Sequence, residues 1–263
     1  LARRVIKDFR PDLILSNGAG VALPFFVLGR MRGVKTVFIE EFAHVNHPTL
    51  TGRLCQPFSN RFFLQWEEQR THFKKGQFLG GLLFDPGVLI GNGSEPRSAP
   101  DGSVFVTVGT DHHPFDRMLD WIESWPGVGR APVFVQYAQS RLPSRVAGAA
   151  FVEYDEVFDR MRRAAALVSH GGPATIAIAL GLGKRPIVVP RQAGLGEHVE
   201  DHQVDFTAKL VSEGLVDLAD SPDQLHRLIE ARLAGTAPAA AELGSQQALR
   251  RFEEIMETMS LAS

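Results

Sequence analysis

A short apolar run that passes directly into glycine and then into a helix-forming segment occurs twice in this chain. The two stretches are LILS-NGAG-VALP over residues 13–24 and ALVS-HGGPAT over residues 166–175. Such a unit reads as a strand, a tight turn and a helix packed back on the strand, and its repetition commits a chain to parallel sheets. The same alternation fills the rest of the chain. In the first part, strands are predicted over residues 12–16, 35–40 and 62–66, with a helix from Val21 to about Arg32 closed by Arg30, Arg32 and Gly33. Pro24 suits its first turn, where amides have no partner within the helix. A fresh series then predicts strands over 103–108 and 132–136, one ending near Phe151 and Val152, and others over 165–169 and 186–190. Helices are predicted over 115–124, 155–163 and 174–182, after His198, after Pro222, and from about Ala240 to Met259.

Between the two series, residues 85–102 (DPGVLIGNGSEPRSAPDG) are dense in Gly, Pro and Ser, the composition of a linker. The expected architecture is therefore α/β, two Rossmann-like domains facing a cleft, with residues 1–98 as the first and 99–263, including the C-terminal helix, as the second. A chain of 263 residues is long enough for two modest cores. The single cysteine, Cys55, closes no intrachain disulfide and reads as a small buried hydrophobe. The longest apolar stretch, residues 21–29, is broken by Pro24 and falls far short of the roughly 20 residues of a spanning helix. Charge is uneven: residues 1–100 carry a balance of +5 and the remainder −7, and eleven of the eighteen Phe lie in the first hundred. That pairing suits a peripheral membrane surface as well as it suits an ordinary Phe core beneath solvated Lys and Arg.

Three places concentrate chemistry. At Asn17, Gly18, Ala19 and Gly20, bare backbone precedes a helix start, whose free amides favour an anion; a simple turn has the same residues. At His170, Gly171, Gly172 and Thr175, an imidazole, two glycines and a hydroxyl surround a second helix N-terminus suited to a diphosphate; a plain helix cap reads alike. Downstream, Glu197, His198 and Gln203 bring polar groups that fit sugar hydroxyls. Third, Gly109 and Thr110 offer close backbone approach and a hydroxyl, followed by Asp111, His112 and His113, groups that can act as bases near neutral pH or simply form a polar loop. Tyr154 can stack on a flat base or serve as a core edge. His198 and His202 are spaced as zinc ligands, but HVEDH lacks the order of a helical metalloprotease site and no cysteine set accompanies it, so no metal is expected.

Residues 169–203, SHGGPATIAIALGLGKRPIVVPRQAGLGEHVEDHQ, resemble the donor-binding half of glycosyltransferase family 28. The likeness is strongest to bacterial exopolysaccharide transferases and to the catalytic subunit of the eukaryotic two-subunit N-acetylglucosaminyltransferase acting on dolichol-linked sugar. Residues 106–118, VTVGTDHHPFDRM, are similar to the first strand and loop of that half. Residues 11–54, PDLILSNGAGVALPFFVLGRMRGVKTVFIEEFAHVNHPTLTGRL, and FFLQWEEQ further on resemble the partner subunit, so the chain reads as a fusion of the two. The resemblance implies a GT-B fold and inverting transfer from a UDP-sugar. It implies Gly109 and Thr110 near the phosphates, Tyr154 near uracil, and His170, Gly171, Gly172 and Thr175 around the diphosphate. Glu197, His198 and Gln203 would face the sugar, and Asn17 to Gly20 would meet the acceptor's pyrophosphate with Glu40 nearby. Two features depart from the family: Ile178 stands where many relatives carry an acidic residue for the ribose, and no strand with a glycine-rich loop precedes LARRVIKDFRPDL, as though a first βα unit were missing.

The expectation is a UDP-sugar-dependent hexosyltransferase of cell-surface polysaccharide synthesis. It would be cytoplasmic and peripheral at the inner membrane face, with a lipid-linked acceptor, no nucleic acid, no obligatory metal or other cofactor, and a partner subunit or upstream segment completing the acceptor domain. His113 is the expected base, with Glu40 or Glu41 behind it. A nucleotide-sugar epimerase and a non-catalytic subunit that binds UDP-sugar or membrane are the alternatives.

Overall fold

The computed structural model describes residues 1–82, 100–239, 241 and 245–261. They form two compact units: Leu1–Leu82 joined by the segment from Leu243 onward, and Leu83–Glu242. Most of the expected linker, and the expected boundary at 98/99, lie outside the described residues.

The first unit opens with helix α1 (Ala2–Phe9), which stops at Arg10, a left-handed residue whose amide closes on Ile6. Four parallel strands follow in the order β1 (Leu13–Ser16), β2 (Lys35–Ile39), β3 (Arg61–Leu64) and β4 (Gln77–Phe78). Helices α2 (Ala22–Met31) and α3 (Leu50–Cys55) connect the first three. One sheet face carries Phe38 and Phe62, neighbours in register, stacked at 5.1 Å. Phe26 from α2 meets Phe38 edge-on, and Phe73 closes against Phe62. The Phe-rich first half is thus spent largely on a core, although Phe9 stays 78% exposed. Cys55 is buried in the same cluster, as a small hydrophobe would be, and burial raises its thiol pKa to about 11, with the Glu40 carboxylate adding to the rise.

The opposite face of this sheet, Val37, Phe63 and Leu79, is covered by Phe252, Ile255, Met256 and Met259 of the last helix, α9 (Ser245–Leu261). Lys35 also donates to the Met259 carbonyl. The C-terminal helix therefore belongs to the first unit and not, as its chain position suggests, to the second. Alternate strand residues point to opposite faces, so a strand set that is apolar on both needs a cover on both.

The second unit is a six-stranded parallel sheet ordered β10-β9-β8-β5-β6-β7. Its strands are β5 (Val104–Thr107), β6 (Val133–Gln136), β7 (Ala147–Ala149), β8 (Ala166–Ser169), β9 (Ile187–Val188) and β10 (Asp217–Leu218). Helices α4 (Asp116–Glu123), α5 (Tyr154–Arg163), α6 (Pro173–Gly181), α7 (His202–Ser212) and α8 (Pro222–Leu233) complete it. Val104 and Val106 face a core shared with Phe115, Met118, Trp125, Leu225 and Ile229, while Phe105 faces Met161, Leu167 and Ala179. The strand expected to end near Phe151 and Val152 stops at Ala149, and Phe151 is exposed. In chain order the strands run outward from β5 in one direction, then return to β8 beside β5 and run outward in the other. The sheet reverses between β5 and β8, and ligands of such sheets bind at the carboxyl ends of the strands at that reversal.

Candidate functional site

The carboxyl ends of β5 and β8 are aligned in register through Thr107 and Ser169, so Gly109–His113 and His170–Thr175 leave the sheet side by side. Thr107 shapes the first loop: its hydroxyl donates to Gln136 Oε1 (2.8 Å) and accepts from the Gly109 amide (3.0 Å). Gly109 then turns with φ +78°. The second turn is built around the His170 ring. A Cβ on Gly109 would lie 2.4 Å from His170 Cε1, and one on Gly172 would lie 2.1 Å from His170 Nε2. Two glycines are needed because an imidazole occupies the space beside both.

Burial, together with the neighbouring Arg191 cation, lowers the His170 pKa to about 3, so the ring is neutral near pH 7. His170 was expected among the groups around a diphosphate; its neutral ring is buried and fills the space beside Gly109 and Gly172. Gly171 is packed against Gln203 and Thr207 of α7. Helix α6 then starts with Gly172 as N-cap and Pro173 in its first turn, and no side chain caps its amides. Thr175 lies half-buried in that first turn.

Arg191, just past β9, carries no exposed surface. It donates to the carbonyls of Val108 (2.9 Å), His113 (2.8 Å) and Glu197 (3.0 Å), and its guanidinium lies over the Phe115 ring at 4.7 Å. One buried cation thus ties the loop after β5 to the loop after β9. Burial lowers the Arg191 pKa against the pull of Asp111 and Glu197, leaving the side chain charged. Glu197, expected to face a sugar, is 6% exposed and accepts from Arg117 at both oxygens (2.7 and 2.8 Å) and from the Gln192 amide (3.0 Å). Gln203 accepts from the Arg191 amide (3.3 Å). Glu197 therefore holds the loops and keeps both its oxygens occupied, while Gln203 is tied to Arg191 through Oε1. Arg191 and Arg117 are what sequence reasoning passed over, and the basic residue that ends PIVVPR was the available signal.

His113 stands half-buried, with its amide 2.7 Å and its Nδ1 2.6 Å from Asp111 Oδ1. Burial raises the Asp111 pKa, but the two His113 hydrogen bonds and the His113 and Arg191 charges outweigh it and bring it down to about 2. The carboxylate stays ionised and orients the imidazole. His198, with a 14% exposed side chain, comes to 4.0 Å of the same carboxylate. Thr110 is exposed, and Tyr154, at the start of α5, is half-exposed. Two surface depressions of this unit lie elsewhere. One of about 310 Å³ includes Asp101, Phe134 and Arg160, another of about 530 Å³ includes Trp125, His226 and Glu230, and neither is lined by the expected donor residues.

In the first unit, Ser16 Oγ accepts from the Gly18 amide (3.3 Å), and Gly18 (φ +143°) and Ala19 (φ +59°) turn the chain into α2. Asn17, Ala19 and Gly20 are exposed, and no side chain caps the helix. Glu41 is half-buried and 3.5 Å from His44 Nε2. Glu40 is completely buried: Oε1 accepts from the Thr49 amide (3.1 Å), and a Cβ on Gly52 would lie 1.9 Å from Oε2. Burial raises its pKa. The expected catalytic role of Glu40 is corrected accordingly: it fastens the start of α3 and shows no surface. Among the described residues no helix is long and apolar enough to cross a membrane.

Residues 134–259 match the Glycosyltransferase family 28 C-terminal domain, and residues 2–82 match the family described as Oligosaccharide biosynthesis protein Alg14 like. The UDP-N-acetylglucosamine transferase subunit alg14 of Schizosaccharomyces pombe is 36% identical over 75 residues, covering 27% of this chain and 36% of that protein. This chain therefore spans little more than a third of that subunit's length. A second relative, the UDP-N-acetylglucosamine--N-acetylmuramyl-(pentapeptide) pyrophosphoryl-undecaprenol N-acetylglucosamine transferase of Geobacter sulfurreducens, is 24% identical, covering 96% of this chain and 77% of that enzyme. Among solved structures, Acinetobacter baumannii MurG matches with a TM-score of 0.57 at 14% identity, covering 94% of this chain and 75% of that one. The fold class is that of the GT-B glycosyltransferases. Two family signatures thus meet in this chain, the Alg14-like one over residues 2–82 and that of the glycosyltransferase family 28 C-terminal domain over residues 134–259.

Proposed function

We propose that this protein is a hexosyltransferase that moves a sugar from a UDP-sugar to a lipid-linked acceptor with inversion at the anomeric carbon, in the synthesis of a cell-surface polysaccharide. One observation carries the reading: the amides that open α6 have no side-chain cap and emerge, beside the Gly109 turn, at the reversal point of a six-stranded parallel sheet. Free amides and the positive end of the helix dipole there suit a diphosphate, and they stabilise it most as it departs with negative charge. Because that charge is met by backbone, the transfer has no obligatory metal. Thr110 and Thr175 supply hydroxyls to the phosphates, Tyr154 stacks on uracil, and His198 contacts the sugar.

The acceptor hydroxyl attacks the anomeric carbon as the bond to the diphosphate breaks, and its proton passes to the His113 imidazole, which Asp111 orients. In the first unit, Asn17 to Gly20 receive the acceptor's pyrophosphate, with Glu41 as a second polar group. Exposed Val5, Phe9, Val21, Met31 and Leu54, interleaved with Arg3, Arg4, Lys7, Arg30 and Arg53, form the surface that meets an anionic cytoplasmic membrane face. The G. sulfurreducens relative, named for transfer to pyrophosphoryl-undecaprenol, supports the choice of acceptor class.

The deciding experiment presents a panel of UDP-sugars to the purified chain with a polyprenyl-pyrophosphate acceptor and follows UDP release. Acceptor-dependent release is expected for at least one donor, unaffected by EDTA. His113→Ala is expected to lower turnover by about 10²- to 10⁴-fold while leaving UDP binding intact. Absence of saturable binding by any uridine nucleotide would overturn the reading. Binding with acceptor-independent conversion of the sugar would favour an epimerase, and binding without turnover a non-catalytic subunit.

A further inference from the structure

In chain order, no third imidazole stands near His198 and His202 to complete a metal site. The fold supplies it. Asp111, His112 and His113 arrive on the loop after β5, and one ligand atom from each lies within 4.8 Å of the others. Around the Asp111 carboxylate, His113 Nδ1 is at 2.6 Å, His112 Nδ1 at 3.6 Å and His198 Nε2 at 4.0 Å. The His112 and His113 rings lie 4.0 Å apart, inclined at 39°, and the His198 and His202 rings meet edge to face at 4.7 Å. Bonds of zinc-ligand length place adjacent donor atoms of a tetrahedral site roughly 3.4 Å apart. The separations from the Asp111 carboxylate straddle that spacing, and His113 and His198, with ring centroids 6.0 Å apart, close on an ion by side-chain rotation. One carboxylate and three imidazoles suit Zn²⁺, Co²⁺ or Ni²⁺ and suit Mg²⁺ or Ca²⁺ poorly, since those ions take oxygen ligands.

We propose that Asp111, His112, His113 and His198 form a binding site for a divalent transition-metal ion. Binding exchanges the Asp111–His113 hydrogen bond for coordination. It also moves the His198 ring proton to Nδ1, giving up only the long 3.3 Å contact from the Glu200 amide. Arg191 anchors the loop from behind through the His113 carbonyl, so the backbone that carries two of the imidazoles is already fixed. The site does not depend on the transferase reading. If that reading holds, the ion occupies the imidazole that accepts the acceptor's proton, and it acts as an inhibitor.

Titration of the full chain with Co²⁺, read by visible absorption, tests the site. The expected result is a saturable, intense spectrum of a four-coordinate ion that Zn²⁺ displaces. His112→Ala and His198→Ala should each weaken Co²⁺ binding by about tenfold or more, whereas His72→Ala, in the other unit, should not. The His112 side chain is 83% exposed, so its removal leaves folding out of the question. Only the weak spectrum of a six-coordinate ion, or affinity that survives both substitutions, would overturn the site. Zn²⁺ should slow UDP release and a chelator restore it; metal binding without that slowing would overturn the inhibitory role alone.

Discussion

The most heavily constrained residues here are those that share space with a buried polar group. Gly172 has no room for a Cβ because His170 fills it. Gly172→Ala should therefore destabilise the second unit by about 1–3 kcal/mol, as overpacking does. His170→Ala in the same chain should recover part of that loss, a coupling readable by urea denaturation of the four members of a double-mutant cycle. Glu40 gives a pH signature. Its folded pKa is raised above its unfolded value, so its favourable contribution is complete below the unfolded pKa and is lost as pH rises through the folded pKa. Glu40→Gln should make thermal stability flatter with pH, gaining on the wild type from about pH 5 upward; an advantage that grows toward acid would contradict the assignment. The acidic residues Glu40 and Glu197 were legible as polar groups near strand ends, but not as structural ones. Their occupations are set by Thr49, nine positions away, and by Arg117, eighty away, and no local pattern announces such partners.

Elements were far more legible than their assembly. Short apolar runs flanked by turn formers mark β1, β2, β5, β6 and β8, most plainly at β5 and β8, which are buried along their whole length and so read as continuous hydrophobic stretches. Of the three two-residue strands, β9 is marked by the apolar run around it, whereas β4 and β10 carry too little sequence to show a period, and α3, six residues long, is equally short of signal. The loops after β5 and β9 are joined by one guanidinium, which no single stretch of sequence reveals. Replacing it by an apolar chain of similar length, Arg191→Met, leaves the Val108, His113 and Glu197 carbonyls without that donor. A loss of about 3 kcal/mol is expected in denaturant, together with weaker UDP binding, since the Gly109 turn is no longer held. Retention of both at wild-type level would remove Arg191 from its positioning role.

At the scale of the molecule, the first unit is assembled from two distant pieces of chain, and the second lies between them in sequence. A chain ending at residue 242 lacks α9 and uncovers Val37, Phe63 and Leu79. Limited proteolysis of that truncation should cut within residues 1–82 while 100–239 remain protected; equal protection of both would show that α9 is dispensable. The same arrangement bears on how the protein is made. On the ribosome, domains ordinarily fold in the order they emerge. Here the first sheet leaves the exit tunnel early yet waits with one greasy flank bare until α9 has been translated, so the nascent polypeptide invites a holding chaperone throughout synthesis of the intervening unit.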